Sequence, residues 1–121
     1  MPAFDHERLD VYQVSVEVVA EVYRILNPRP RGYSDLVNQA QRAAISIPLN
    51  VAEGSGEFNR LEKARFYQIA RRSATECAAA LDVLRVLGVV SAKRLERARE
   101  LLDRVVAMLT RMIQQQRSEK T

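Results

Sequence analysis

The sequence predicts an all-α protein, an antiparallel up-down-up-down four-helix bundle, and three observations carry that expectation. Apolar residues recur every three or four positions in four separate stretches, the spacing of a helix with one buried stripe. Four Gly and four Pro in 121 residues are too few for the many tight turns of a β-sandwich. The breaks between the periodic stretches are short, and short connections join antiparallel neighbours in a bundle. A chain of this length is expected to form one domain, residues 1–121, and no internal repeat of solenoid length is present.

The first helix is expected over about residues 9–26. Val14, Val16 and Val18 alternate with Ser15 and Glu17 as in a strand. Over the full stretch, however, Asp10, Gln13, Glu17, Glu21 and Arg24 recur on one side and Val11, Val14, Val18, Val22 and Ile25 on the other. Tyr12, Val16, Val19, Tyr23 and Leu26 widen the apolar side. The helical period prevails over the strand preference of the valines. Asn27-Pro28-Arg29-Pro30-Arg31-Gly32 ends it. The second helix is expected over 35–54, with Ser34 as its cap, Asp35 in its first turn and a stripe of Leu36, Ala40, Ala43, Ile47 and Asn50. Pro48 lies inside it, and removing one backbone hydrogen bond costs about 3 kcal/mol in an isolated helix. A bend is expected there, since the apolar period runs on through Val51, and Gly54 is expected to end the helix.

Ser55-Gly56-Glu57-Phe58 reads as a loop, and Asn59 with Glu62 as a capping box that opens a helix over 60–87. Its seam is Phe66, Ala70, Ser73, Cys77, Ala80, Leu84 and Leu87. Gly88 stops it and Ser91 caps the fourth helix, expected over 92–116. There Leu95, Ala98, Leu102, Val105, Leu109 and Met112 form the seam, flanked by Leu101, Val106, Met108 and Ile113, with fraying expected after Gln114.

Apolar residues make up 47% of the chain and charged ones 28%, enough for a core and ordinary for a soluble domain. No uncharged apolar run approaches the ~18 residues of a membrane span. Met1 to Glu7 lacks the pattern of a secretory leader, and a single cysteine fits a reducing compartment. The expected location is therefore the cytoplasm, with no membrane partner. Cys77, among alanines, reads as a small core residue rather than a reactive thiol.

The middle of the second helix is the most telling stretch. No charge occurs from Ala43 to Ala52. A helix apolar on every side must be covered on more than one side, and a chain this short can hardly do so alone. A second copy is expected to cover it, with Ile45, Pro48 and Leu49 at the contact.

Two polar sets compete for a functional reading. Arg42, Ser46, Asn50 and Glu53 share one side of the second helix, and Ser73 and Glu76 one side of the third. They are expected to form a buried network, with Arg42 reaching Glu53 or Glu76, that sets helix register or subunit contact. A two-carboxylate catalytic or metal site is the less favoured reading. His6 is the only histidine, so the Glu-x-x-His pairs of a bundle metal site and histidine-based nucleophilic machinery are absent. His6 itself is expected to be solvated. Gly54-Ser55-Gly56 lacks the spacing and lysine of a phosphate-binding loop. No cofactor is expected.

The second set is basic. Residues 1–60 carry six basic and eight acidic side chains, and residues 61–121 carry thirteen and seven. Arg97, Arg104 and Arg111 recur every seven residues, with Lys93 and Arg94 before them and Arg71 and Arg72 on the third helix. They permit an anionic partner such as RNA, DNA or a nucleoprotein. Glu96 and Asp103 dilute the row, and Glu100 can pair with Arg104. With no aromatic beside the arginines, contacts would go to phosphate without base stacking.

The chain also resembles the bacterial proteins named after intervening sequences in 23S ribosomal RNA genes. The likeness spans about Phe4 to Ile113. It rests on Leu9-Asp10-Val11-Tyr12-Gln13, on Gln41-Arg42-Ala43-Ala44, and above all on Ser46-Ile47-Pro48-Leu49-Asn50-Val51-Ala52-Glu53-Gly54. Phe66-Tyr67-Gln68-Ile69-Ala70 and Ser73-Ala74-Thr75-Glu76 complete it, while Arg72 stands where the family often has glycine. The resemblance implies a homo-pentameric ring of four-helix bundles. A distant relative, the accessory protein of diversity-generating retroelements, implies a basic ring that binds nucleic acid and a reverse transcriptase. The expectation is a non-enzymatic ring that binds nucleic acid without sequence preference. The alternative is an oligomeric scaffold that binds none.

Overall fold

Side-chain caps open two of the four helices in the computed structural model, which describes residues 5–118. A 3-10 turn over Asp5–Arg8 leads into α1 (Asp10–Ile25), α2 (Ser34–Ser55), α3 (Arg60–Val86) and α4 (Ala92–Ser118). No strand occurs among the described residues, and none of the helices is long and apolar enough to cross a membrane. Each helix boundary lies within two residues of the expected one. Phe4, at the start of the family likeness, lies outside the described residues.

Two of the expected caps form as read and two do not. Ser91 Oγ accepts from the Arg94 amide at 3.2 Å. Gly88, at φ +78°, ends α3: its amide donates to the Arg85 carbonyl, and the Val89 amide reaches back to Leu84. That pair of bonds is the Schellman arrangement, which a residue with a Cβ adopts only under strain. Asn59 Oδ1 accepts from the Glu62 amide at 3.0 Å, but the Glu62 carboxylate closes no box. It pairs instead with Arg65. Ser34 is the first helical residue rather than the cap. Tyr33 holds that position in the left-handed region, φ 54°, with no side-chain bond. Nor does α4 fray after Gln114; it stays helical to Ser118.

The four helices close on one core. α1 packs on α2 and α4, and α3 packs on the same two. Val11, Val14, Val18, Val22 and Ile25 are buried from α1, as are Leu95, Ala98, Leu102, Val105 and Leu109 from α4. Pro48 is accommodated without interrupting α2. At the edges the seams depart from expectation. Leu87, past the last turn of α3, is exposed, and Phe66 is only half-buried.

α2 and α3 share the most extensive contact in the bundle, and the sequence of small residues explains how. Ala40, Ala44, Ala70, Ala74 and Cys77 are wholly buried, and small side chains let helix axes approach. A Cβ built on Gly54 would lie 2.6 Å from Tyr67 Cε1 and 3.2 Å from Phe66 Cβ. Gly54 is therefore a contact residue inside α2, which continues to Ser55, and not the stop it was expected to be. Lys63 Nζ then donates to the carbonyls of Gly54 (2.8 Å) and Ser55 (3.1 Å). The ammonium adds to the Glu57 amide on the Gly54 carbonyl and bonds the Ser55 carbonyl as well, at the C-terminus of α2 where cations are favoured.

Gly54→Ala tests the close approach, because helix propensity alone would make it stabilising by about 1 kcal/mol. The buried Tyr67 ring has no room to retreat, so we expect a net loss of about 1–3 kcal/mol in denaturant unfolding.

Candidate functional site

Surface chemistry concentrates in the grooves between neighbouring helices. The α2–α3 groove is lined by Asp35, Gln39, Arg42, Ala43, Ser46, Ser73 and Glu76. Its centre is a small network. Asn50 Nδ2 donates to the Ser46 carbonyl at 2.9 Å and to Ser46 Oγ at 3.0 Å. The Ser73 hydroxyl lies 2.8 Å from Ser46 Oγ and 3.0 Å from the Ile69 carbonyl. Ser73 is buried as expected, but Asn50 is only half-buried. Ser46, Asn50 and Ser73 thus come together across the two helices.

The charged members of that set do not join them. Arg42, Glu53 and Glu76 are exposed, and among the described residues no ion pair links Arg42 to either carboxylate. The expected charged bridge fails for a geometric reason: these side chains sit on the solvent rim, where separate hydration competes well with pairing. Among the described residues no group of three or more His, Cys, Asp or Glu side chains could hold a metal ion. His6 is half-buried rather than fully solvated, its ring edge-on to Tyr12 at 4.6 Å.

The structure divides the seven basic residues into two groups. Lys93, Arg94, Arg97, Arg104 and Arg111 are exposed on α4, and the contacts of Arg94, Arg97 and Arg111 lie toward α1. Arg97 Nη2 lies 3.5 Å from Glu17 Oε2, Arg94 donates to the Arg24 carbonyl at 3.4 Å, and Arg111 lines a groove with Leu9, Asp10 and Met112. The expected Glu100–Arg104 pair is not formed. Glu21 belongs to the same edge. The Arg24 guanidinium bonded to it holds its carboxyl below the usual carboxylate range against the opposing effect of burial, and Arg97 and Arg94 add to the lowering.

Arg71 and Arg72 face the other neighbour. With Gln68, Thr75, Val106 and Thr110 they line the α3–α4 groove. Farther along the same helix pair Asp82, Glu96, Glu100 and Asp103 gather with Arg85 and Arg99, and Arg99 pairs with Asp82. The acidic residues expected to dilute the α4 row therefore occupy the opposite half of the α3–α4 face. Arg72 is exposed and not at a helix crossing.

The 23S rRNA-intervening sequence protein family model matches residues 7–111. The chain belongs to that family. No curated protein matches it. The stretch that carried the resemblance, Ser46 to Gly54, is the part of α2 that supplies both the serine–asparagine network and the close approach to α3. Sequence reasoning missed the Lys63 clamp. Its only signal was a lysine four residues after the Asn59 cap, which ordinary helix chemistry already explains.

Of the three residues assigned to a contact between copies, Pro48 is buried within the protomer. Ile45 and Leu49 are exposed, Leu49 by 61%. Cys77 is fully buried, and burial pushes its thiol up to about 12. Only the thiolate reacts, so in the folded protein Cys77 should stay unmodified by a disulfide reagent at pH 8 and titrate fully once denatured. Stoichiometric reaction of the native protein would show the helix seam to be open.

Proposed function

We propose that this family member is a non-enzymatic, cytoplasmic, self-associating bundle that binds nucleic acid through phosphate contacts. The single observation that carries the reading is that α2 turns Ile45 and Leu49 to solvent in the middle of its uncharged run, while the rest of that run is buried or half-buried. An exposed leucine and isoleucine one turn apart are ready to meet the same surface of another copy. A ring of five copies, the number the resemblance implies, is our reading of the assembly.

Within each copy we propose the up-down-up-down order. It is supported by the partners that cross between helices. Ser46 meets Ser73 while Gly54 meets Lys63, Arg71 meets Thr110 while Asp82 meets Arg99, and Glu17 meets Arg97 while Arg24 meets Arg94. In each pair one number rises as the other falls.

Nucleic-acid binding draws support from Arg104 and Arg111, exposed on α4, and from repetition of one modest patch around a symmetric ring, which raises avidity without new contacts. The second reading, a scaffold with no nucleic acid, is favoured by the Arg97–Glu17 pair, which neutralises part of the row.

Leu49→Glu or Ile45→Glu should dissociate the assembly while leaving the protomer helical, because either carboxylate is solvated in one copy and buried unpaired between two. Sedimentation giving the same mass for wild type and both variants would refute this contact. Binding to structured RNA and duplex DNA should weaken steeply with salt, and Arg97→Gln, Arg104→Gln and Arg111→Gln together should flatten that dependence. Absence of binding at low salt would leave the scaffold.

A further inference from the structure

The α3–α4 groove holds two arginines and no acidic side chain in its lining; the α1–α2 groove also lacks one, but there Arg24 is paired with Glu21 and Arg29 bonds Asn38 and Gln41. The volume of the α3–α4 groove is ≈ 570 Å³, and its lining is Gln68, Arg71, Arg72, Thr75, Val106 and Thr110. Its arginines and its glutamine can donate hydrogen bonds outward, and no carboxylate takes part. The α2–α3 groove sets Asp35 and Glu76 beside Arg42, and the other half of the α3–α4 face holds four carboxylates.

The guanidinium of Arg71 is also held in place. Its Nη1 donates to Thr110 Oγ1 at 3.2 Å, and Thr110 Oγ1 donates onward to the Val106 carbonyl at 2.8 Å. Because the threonine proton is engaged by that carbonyl, its oxygen is turned toward the arginine. A guanidinium anchored through one nitrogen keeps further N–H groups for a second partner. Arg72, exposed beside it, makes no ion pair among the described residues. Two guanidinium forks and an amide, with no anion among them, match the tetrahedral acceptors of a phosphate.

We infer that the α3–α4 groove is a phosphodiester-binding seat, in which Arg71 and Arg72 clasp the backbone of a nucleic-acid strand while the Gln68 amide supplies a neutral donor between Thr75 and Thr110, whose hydroxyls donate to the Arg71 and Val106 carbonyls. The inference rests on the nucleic-acid reading above and deepens it. It moves the principal contact from the α4 arginine row, part of which is already paired with α1, to a groove with no internal counter-ion. No aromatic lines the groove, so the strand is held without base stacking and without sequence preference.

The test compares three arginines of one helix. Binding of a fluorescent poly-uridine RNA is followed against salt for the full-length wild type, Arg71→Gln, Arg72→Gln and Arg85→Gln, the last lying in the acidic half. Single-stranded contacts contribute a slope in log K against log salt of about 0.7 per phosphate neutralised. Arg71→Gln and Arg72→Gln should each reduce the slope by about that amount per engaged subunit, and Arg85→Gln should leave it unchanged. Equal effects of all three would overturn the seat while leaving nucleic-acid binding intact. Should wild type bind no RNA, the functional reading fails, and a titration with inorganic phosphate decides the seat by NMR. Shifts confined to the Gln68 amide, Thr75 and Thr110 would uphold an anion site, and their absence would overturn it.

Discussion

The contact between α2 and α3 is the constraint on which the rest of the structure depends. At Gly54 the helices approach so closely that no Cβ fits against Tyr67. Three separate interactions then fix their register: the Ser46–Ser73 hydroxyl pair, the buried alanine seam and the Lys63 ammonium on the last carbonyls of α2. Polar bonds inside an otherwise apolar seam specify alignment more than they add stability, since each replaces hydrogen bonds to water. α1 and α4 complete the core around this pair with larger valine and leucine side chains.

Much of this was legible beforehand because helix periodicity is a local property. The apolar positions of α1 and α4 emerged almost residue for residue, and so did the Ser91 and Gly88 end signals. What the sequence could not reveal were relations between distant residues. Ser34 looks like a cap by type, yet the preceding turn places Tyr33 there instead. Gly54 looks like a terminator, whereas its meaning lies in Tyr67, thirteen positions away. Arg42, Glu53 and Glu76 have the charges for a bridge, but on this surface they project to water rather than to one another.

The basic residues illustrate the same limit at the level of function. A sevenfold spacing on α4 invites the view of one continuous stripe, and on the helix itself the stripe exists. Packing adds what spacing omits: α1 brings Glu17 and Glu21 alongside, and α3 brings Arg71 and Arg72 to the opposite flank. Field at a surface is set by all the charges within about a Debye length, roughly 10 Å in ordinary buffers. A row read from one helix is only part of that sum.

The interlock of Gly54 and Tyr67 carries a consequence for how such a chain can drift over generations. A methyl at position 54 is excluded while a ring fills the facing site, and trimming the ring alone leaves a void. The two positions are thus heritable as a couple: tolerated exchanges should arrive together, larger on one helix and smaller on the other. Comparison of many descendants would reveal them as linked columns, whereas the outward arginines would wander independently.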